Sequence, residues 1–524
     1  MFDLIIKNGF IIDGTGSKGY LCDVAIANDR IIKIGDLKKE KAKKIIDATG
    51  LIVAPGFIDI HSHSDWRIFS ALKTENVIRQ GITTEVVGQC GDSPFPVIDN
   101  RAHEIFDYFL SQKINNEILK WSSAKEFFNI VEEVGLSHNI VPLVGHGTIR
   151  MNVMGYEKRK ATEDEIKKMK ELVEETMKSG AFGISTGFPY PPGVFADTDE
   201  VVELCKIIAR YNGVYTTHLR NQSKKLIESI EEAIEIGEKS GVRVNISHLK
   251  ASDKENWGKV IEGIDIMNSA RDKGLNIICD VYPYTAASNP LSSEFPGWIH
   301  EGGNDKLIER LKDQGIRKKL RDEMPREQDE LWSLIYICDV KCYNHKINIG
   351  KNIKEIAMER GETSLDTACD LLIENHGIVQ VNVVCMSEED VEYVLSYKYA
   401  AIGADGGVFI TKGYTGHPRA FGAFPAFIGT YIRDKKLVTL EEGIRKITSL
   451  PAEFIGIKDR GVIGERMYAD IVLFNYDNIM AKATYEKPAE YPQGIEYVIV
   501  NGKVQFNNGV NNNVPCGKVI RKNQ

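Results

Sequence analysis

The chain has 524 residues, and its 66 Lys and Arg against 74 Asp and Glu give a net charge of −8. A pI near 5.9 without a long basic run argues against nucleic acid as the main partner. No apolar run reaches the roughly 18 residues of a membrane span, and the start is not that of a signal peptide. Nine scattered cysteines indicate free thiols in a reducing compartment, so we expect a cytoplasmic protein.

Both ends of the chain show the two-residue periodicity of β-strands. At the N-terminus, DLIIKNGFIIDG, DVAIANDRIIKIGD and KIIDATG alternate apolar and polar residues between Asn-Gly, Asp-Gly and Asn-Asp turn signals. At the C-terminus, ADIVLFN and YVIVNGKVQFNNG repeat this pattern. We expect residues 1–54 and 463–524 to form one β-sandwich domain; two unrelated edge sheets are the alternative.

The middle of the chain alternates short apolar runs with amphipathic helices. Helical spacing over DEIKKMKELVEETMKSG and KKLIESIEEAIEIGEKSG ends at a Gly in both cases. Buried parallel strands that alternate with helices indicate an α/β fold, and eight of them favour a (β/α)8 barrel over an open doubly wound sheet. The eight runs are VAPGFIDIHSH, TTEVVGQC, NIVPLVGHG, AFGISTG, VYTTH, VNISH, IICDVYPY and AIGADG.

Two features interrupt the rhythm of the predicted barrel. The run VQVNVVC (379–385) is a ninth strand candidate. Residues 288–345 carry the charged helix LIERLKDQGIRKKLRDEM in place of the expected alternation. We therefore expect a catalytic barrel over residues 55–287 and 346–462, with residues 288–345 inserted as a small subdomain over its mouth.

Chemistry-bearing residues follow the predicted strands at the end where the active sites of barrels lie. His61 and His63 close the first run, and two residues apart on a strand they face the same side. Such a pair suits a divalent metal, although His-x-His alone is equally common in packing. Cys90 ends VVGQC beside a glycine, where a thiolate would bind zinc; a buried free cysteine is the alternative.

Three further residues end later runs. His218 ends VYTTH and His248 ends VNISH, at equivalent positions of successive strands, which favours metal binding over core packing. Asp405 follows the apolar run AAIGA and precedes two glycines, which is also typical of a simple turn. At the last barrel strand its carboxylate would bind the metal and exchange protons as a general base and acid.

Cationic and hydroxyl side chains near these strand ends are candidates for substrate binding. Lys250 follows His248 by two residues and shares its side of the strand. Together with Tyr282, and with Arg419 or Arg220, it would clamp a carboxylate. His146, in the Gly-His-Gly of VGHGTIR, is a candidate for the pocket wall or for a purely structural loop.

These segments resemble the metal-dependent amidohydrolase superfamily and, within it, the N-acyl-D-amino-acid deacylase (D-aminoacylase) family. The resemblance runs through nearly the whole chain, and the Gly-x-Cys-Gly and Ser-His-x-Lys elements are its most specific parts. The matching segments are PGFIDIHSHSD, GQCGDSPFP, GHGTIR, STGFPYPPGVFAD, YTTHLRN, ISHLKASDKENWGK, DVYPYTA, GADGG and HPRAFGAFP.

The resemblance implies a (β/α)8 barrel, a β-sandwich from both termini and a small insertion. It implies one tightly bound zinc on Cys90, His218 and His248, and a second, weaker site on His61, His63 and Asp405. It also implies that the substrate α-carboxylate is held by Lys250 and Tyr282, with Arg419, and that the D configuration is preferred.

We therefore predict a zinc-dependent hydrolase that cleaves N-acyl-D-amino acids to a carboxylate and a free D-amino acid. Three positions depart from the family pattern: Gln89 and Gln222 stand where Asn and Glu are usual, and Asp92 follows Gly91. These changes leave the side-chain preference open. The alternatives are hydrolysis of L-aminoacyl-D-amino-acid dipeptides, a cyclic amidase of the hydantoinase or dihydroorotase type, and an inactive scaffold.

Overall fold

The structure is a computed structural model that describes residues 1–69, 74–98, 121–324 and 328–522. Eight parallel strands form its centre, each paired with the next in chain order. They are β1 (Phe57–Asp59), β2 (Ile82–Val87), β3 (Asn139–Pro142, continued by Val144–Gly145), β4 (Gly183–Gly187), β5 (Val214–His218), β6 (Arg243–Ile246), β7 (Ile277–Val281) and β8 (Ala400–Ile402).

The strands close into a ring at the seam between β8 and β1. A parallel bridge joins Ser62 to Gly406 just beyond the two strands. On either side of it, Asp405 N donates to His61 O and His63 N donates to Gly406 O, both at 2.8 Å. The predicted (β/α)8 barrel is thereby confirmed, and all eight expected runs are barrel strands.

Helices surround the barrel, and the longer ones present an apolar stripe to the strands and a charged face to solvent. The helix Glu163–Lys178, for example, buries Met169, Val173 and Met177 and begins with a capping box at Thr162. The helices associated with the barrel are Glu75–Ile78, Ala124–Val134, His146–Met154, Glu163–Lys178, Thr198–Arg210, Leu226–Ser240, Lys259–Asp272, Glu388–Ser396, Arg419–Ala426 (continued as a π-helix over Phe427–Asp434), Leu440–Lys446 and Ser449–Ile455.

Both chain ends build one hydrogen-bonded sheet of nine strands with its own apolar core. Asn8-Gly9, expected to be a turn, is instead a bulge inside the first strand, because Asn8 N donates to Asp23 Oδ1 and pairing resumes at Gly9. The strands are Phe2–Ile11, Tyr20–Ala27, Arg30–Gly35, Ala42–Asp47, Ile52–Pro55, Ile471–Phe474, Ile495–Val500, Lys503–Asn507 and Val510–Asn511.

The inserted substructure is larger than residues 288–345. Val379–Val384, the ninth strand candidate, is the central strand of an antiparallel sheet between Ala286–Pro290 and Ile335–Val340. This sheet shares a separate apolar core with helices that the sequence analysis assigned in part to the barrel. The helices are Asn304–Leu311, Gln314–Glu323, Ile353–Arg360 and Ser364–Glu374, and the short helix Gln328–Leu331 lies between the second and third in the chain. The other domain bounds stay a prediction.

Within the described ranges, no helix combines the length and the apolar character that crossing a bilayer requires.

Candidate metal centre and active site

The Cys90 thiol lies among three imidazoles at the carboxyl ends of the barrel strands. Its Sγ is 3.4 Å from His61 Nε2, 3.7 Å from His218 Nδ1 and 3.5 Å from His248 Nε2. Tetrahedral zinc holds sulfur at about 2.3 Å and nitrogen at about 2.0 Å, which sets the ligand atoms roughly 3.5 Å apart. The observed spacing therefore fits one zinc ion shared by a thiolate and imidazoles.

The remaining two members of the predicted cluster lie beside it. The Asp405 carboxylate is 3.2 Å from His63 Nε2 and 3.6 Å from His61 Nε2. Donor atoms within 4.8 Å of one another occur in three sets: His61–His63–Cys90, Cys90–His218–His248 and His61–His248–Asp405. The structure thus brings together all six residues that the sequence predicted as metal ligands.

Unusual backbone geometry turns three of these side chains into the barrel. Cys90, His248 and Asp405 follow β2, β6 and β8 and have φ values of +54°, +36° and +48°. Non-glycine residues rarely adopt such angles, and they cluster at functional sites. The loop that carries Cys90 also needs glycine at 187, because a Cβ there would lie 1.9 Å from the Cys90 carbonyl oxygen.

The charges of the cluster are distributed unevenly. Burial, and then the charge of Lys250, lower the pKa values of His218 and His248 well below the usual range, which leaves neutral imidazoles. Burial alone would raise the pKa of Asp405. Arg419, at 2.8 Å, and the imidazoles have the larger opposite effect and hold this pKa well below its usual value. Neutral imidazoles and an ionised carboxylate are the forms that bind metals.

A buried carboxylate beneath the cluster, which the sequence analysis missed, contacts the His61 imidazole and the His248 backbone. The Asp280 carboxylate, at the end of β7, accepts hydrogen bonds from His248 N at 2.8 Å and Asn245 Nδ2 at 2.6 Å. It also lies 3.3 Å from His61 Nδ1. Metal-binding histidines commonly have such a partner on their second nitrogen. The only sequence signal was an aspartate inside the apolar run IICDVYPY.

A cavity of about 670 Å³ opens above the cluster, between the barrel mouth and the inserted substructure. Lys250, Tyr282 and Arg419 line it, as predicted for carboxylate-binding residues. The Tyr282 hydroxyl is buried and has no hydrogen-bond partner among the described residues. A buried hydroxyl without a partner is costly, so its position in the cavity wall favours a polar ligand there.

The other two predicted substrate residues are placed differently. Arg220 lines the cavity, but its guanidinium forms a bidentate pair with Glu232, with contacts of 2.8 and 3.0 Å. His146 is not part of the cavity wall: it is fully buried, with Nε2 2.7 Å from Glu200, which Arg150 also contacts. The structure therefore does not bring His146 to the substrate cavity.

This barrel, with sulfur, nitrogen and oxygen donors gathered at its mouth, places the protein in the class of metal-dependent hydrolases. The family model described as "Amidohydrolase family" matches residues 44–260 and 401–506. The chain belongs to the amidohydrolase family, which confirms the resemblance inferred from the sequence.

Known relatives cover nearly the whole chain. A D-aminoacylase of Alcaligenes xylosoxydans xylosoxydans is 32% identical over 96% of this chain and 94% of its own length. An N-acyl-D-aspartate deacylase of the same organism is 31% identical over 96% of this chain and 91% of its own. The crystal structure of N-acyl-D-glutamate deacylase from Bordetella bronchiseptica, complexed with zinc and a phosphonate mimic of the tetrahedral intermediate, has a TM-score of 0.85 at 28% identity, covering 99% of both chains.

Proposed function

We propose that this protein hydrolyses the amide bond of N-acyl-D-amino acids and releases a carboxylate and a free D-amino acid. The observation that carries the proposal is the Cys90 thiol, 3.4 to 3.7 Å from three imidazoles at the floor of the cavity. Relatives that span over nine-tenths of the chain are named for this reaction, which supports linear amides over the cyclic substrates of the alternative.

Cys90, His218 and His248 would hold one zinc tightly, because a thiolate and two neutral imidazoles form a suitable donor set. His61, His63 and Asp405 would form a second, weaker site. Burial lowers the basicity of His63, but Asp405 and Cys90 outweigh it and raise its pKa to about 10, so a cation there competes with a proton. Bound zinc would lower the pKa of a water molecule from ~15.7 toward ~7 and polarise the acyl carbonyl.

Asp405 would act as the general base and then as the general acid. Its carboxylate takes a proton from the attacking water as the water oxygen bonds to the acyl carbon. It then delivers that proton to the amide nitrogen as the carbon–nitrogen bond breaks, so the D-amino acid leaves as a neutral amine. Arg419, 2.8 Å from the second carboxylate oxygen, keeps Asp405 ionised before the reaction.

Lys250 and Tyr282, together with Arg419, would hold the substrate α-carboxylate. The Lys250 ammonium lies 5.6 Å from the centre of the Tyr282 ring, and the Arg419 guanidinium lies 4.7 Å from the same centre. Two cations and a hydroxyl around one point favour a carboxylate, and fixing it positions the amide over the cluster.

The proposal is tested with matched N-acetyl-D- and N-acetyl-L-amino acids, zinc-loaded enzyme and detection of the released amine. We expect hydrolysis of D substrates only, abolished by a chelator and restored by zinc. Cys90→Ala should be inactive and lose tight zinc, whereas Cys205→Ala, which removes a buried cysteine of the helix Thr198–Arg210, should keep both. Absence of amine release from every D substrate would refute the proposal.

We also propose a cytoplasmic location. All nine cysteines are unpaired, and three of them, Cys22, Cys342 and Cys516, are only partly buried, which supports a reducing environment. Fractionation of the source cells with an antibody against the protein tests this proposal.

A further inference from the structure

One wall of the substrate cavity is acidic. Asp253 and Glu294 both line it, Asp253 on the loop after β6 and Glu294 at the end of the 3-10 helix Leu291–Glu294 of the inserted substructure. Cys385, also in the wall, adjoins Asp253, because its carbonyl accepts from Asp253 N at 3.0 Å, and it is close enough to Lys250 for the two to interact electrostatically. The acidic wall is therefore continuous with the residues proposed to bind the α-carboxylate.

Among the described residues, neither carboxylate forms an ion pair, and Lys224 acts on Asp253 only as a more distant charge. Asp253 has no hydrogen bond or ion pair to its carboxylate among the described residues, and Glu294 is contacted by the neutral amide of Asn289 at 2.7 Å. Burial, together with the negative charge of Asp253, raises the pKa of Glu294. A cation placed between the two carboxylates would compensate both charges.

The cations that line the cavity are engaged elsewhere. Lys250 lies 3.1 Å from His248 Nδ1, Arg419 pairs with Asp405, and Arg220 pairs with Glu232 outside the wall. On the far side, the Arg67 guanidinium lies 4.7 Å from the centre of the Phe409 ring.

The unpartnered hydroxyl of Tyr282 is an independent sign that a ligand enters this cavity. If its carboxylate lies at Tyr282 and Lys250 and its amide at the metal cluster, the substrate side chain points to the remaining space. Because Asp253 is three residues from Lys250 and shares the wall with Glu294, that space includes the acidic wall.

We propose that Asp253 and Glu294 select N-acyl-D-amino acids with a cationic side chain, such as those of D-lysine and D-arginine. The inference rests on the proposed function and narrows its substrate class. It sets this chain apart from the relatives named for D-glutamate and D-aspartate, since two carboxylates attract a basic side chain and repel an acidic one.

The test compares kcat/KM for N-acetyl-D-lysine, N-acetyl-D-arginine, the uncharged N-acetyl-D-norleucine and N-acetyl-D-glutamate with the zinc-loaded enzyme. We expect the two basic substrates to exceed norleucine by about ten-fold or more, the effect of one or two charge-assisted hydrogen bonds, and glutamate to be the poorest. Added salt should reduce the preference only partly, because the wall is half-buried.

Variants assign the preference to the two residues. Glu294→Gln and Asp253→Asn should each lower kcat/KM for the lysine substrate about ten-fold, mainly through KM, and leave norleucine within about two-fold. Unchanged norleucine hydrolysis shows that the variant is folded. Glu262→Gln removes an exposed acid of the helix Lys259–Asp272, outside the cavity wall, and should change neither substrate.

The outcomes separate the two proposals. Norleucine cleaved as well as lysine, or variants that lose both substrates equally, would overturn the selection by charge while the deacylase proposal stands. A preference for N-acetyl-D-glutamate would also overturn the selection of basic side chains, and it would place the substrate side chain toward Arg67. No hydrolysis of any D substrate would overturn the proposed function and this inference together.

Discussion

Removing the Asp280 carboxylate tests whether the buried layer beneath the cluster sets its affinity for zinc. Asp280→Ala leaves His248 N and Asn245 Nδ2 without their acceptor and releases the second nitrogen of His61. Loss of such an outer partner lowers metal affinity by about 10- to 100-fold, or ~1.4 to 2.7 kcal/mol. Each buried donor left unpaired costs about 1–3 kcal/mol, so we expect roughly 2–6 kcal/mol of destabilisation.

Two measurements separate these effects. Competition with a chromogenic chelator gives the zinc affinity, and urea denaturation of the zinc-free protein gives the stability. Asp280→Asn keeps the volume of the side chain and removes its charge, so it provides a second measurement if Asp280→Ala fails to fold. Asp390→Asn is a matched control, since Asp390 is buried and accepts from Gly258 N at 2.9 Å without contacting the cluster. Zinc affinity unchanged in both Asp280 variants would refute the reasoning.

Three further changes test other parts of the structure. Cys90→Ser should weaken zinc binding by more than the 10- to 100-fold of an outer-layer change, measured by the same chelator competition. Asp405→Asn should lower kcat by about 10²–10⁴-fold and keep one zinc; a wild-type kcat would exclude its role in proton transfer. Burial lowers the pKa of Lys446 from 10.5 to about 7. Between these two pH values the lysine is protonated in the unfolded chain and neutral in the folded protein, so the free energy of unfolding rises with pH. Between pH 7 and pH 10 the rise in the free energy of unfolding is on the order of 3 kcal/mol, and Lys446→Met should remove most of it in urea denaturation. An equal rise in the variant would contradict this role of Lys446.

The strand ends explain why much of the site was predictable. In a closed parallel barrel the carboxyl ends of all strands meet on one face, so a polar residue that ends a strand is placed there by topology alone. His61, Cys90 and Asp405 could therefore be grouped although 344 positions separate the first from the last. The grouping needed no knowledge of side-chain geometry, only the number and direction of the strands.

The inserted substructure shows where periodicity fails. Val379–Val384 has the apolar composition of a barrel strand, and within the chain it lies between two helices, as a barrel strand would. Its antiparallel pairing with Ala286–Pro290 and Ile335–Val340 depends on contacts between residues at least 39 positions apart, which a local pattern does not encode. Strand type is local information, whereas strand pairing is not.

The same distinction separates the two arginines near the cluster. Arg220 and Arg419 both follow barrel strands, and either could clamp a carboxylate by residue type. Arg220 is neutralised by Glu232, which lies on the helix Leu226–Ser240 that follows it and faces back to the strand end. Arg419 begins a helix of its own and reaches Asp405. The partner of a charge decides what the charge can do. Ranking Arg419 above Arg220 therefore rests on Glu232, a residue that becomes informative only once the helix Leu226–Ser240 is placed in the fold.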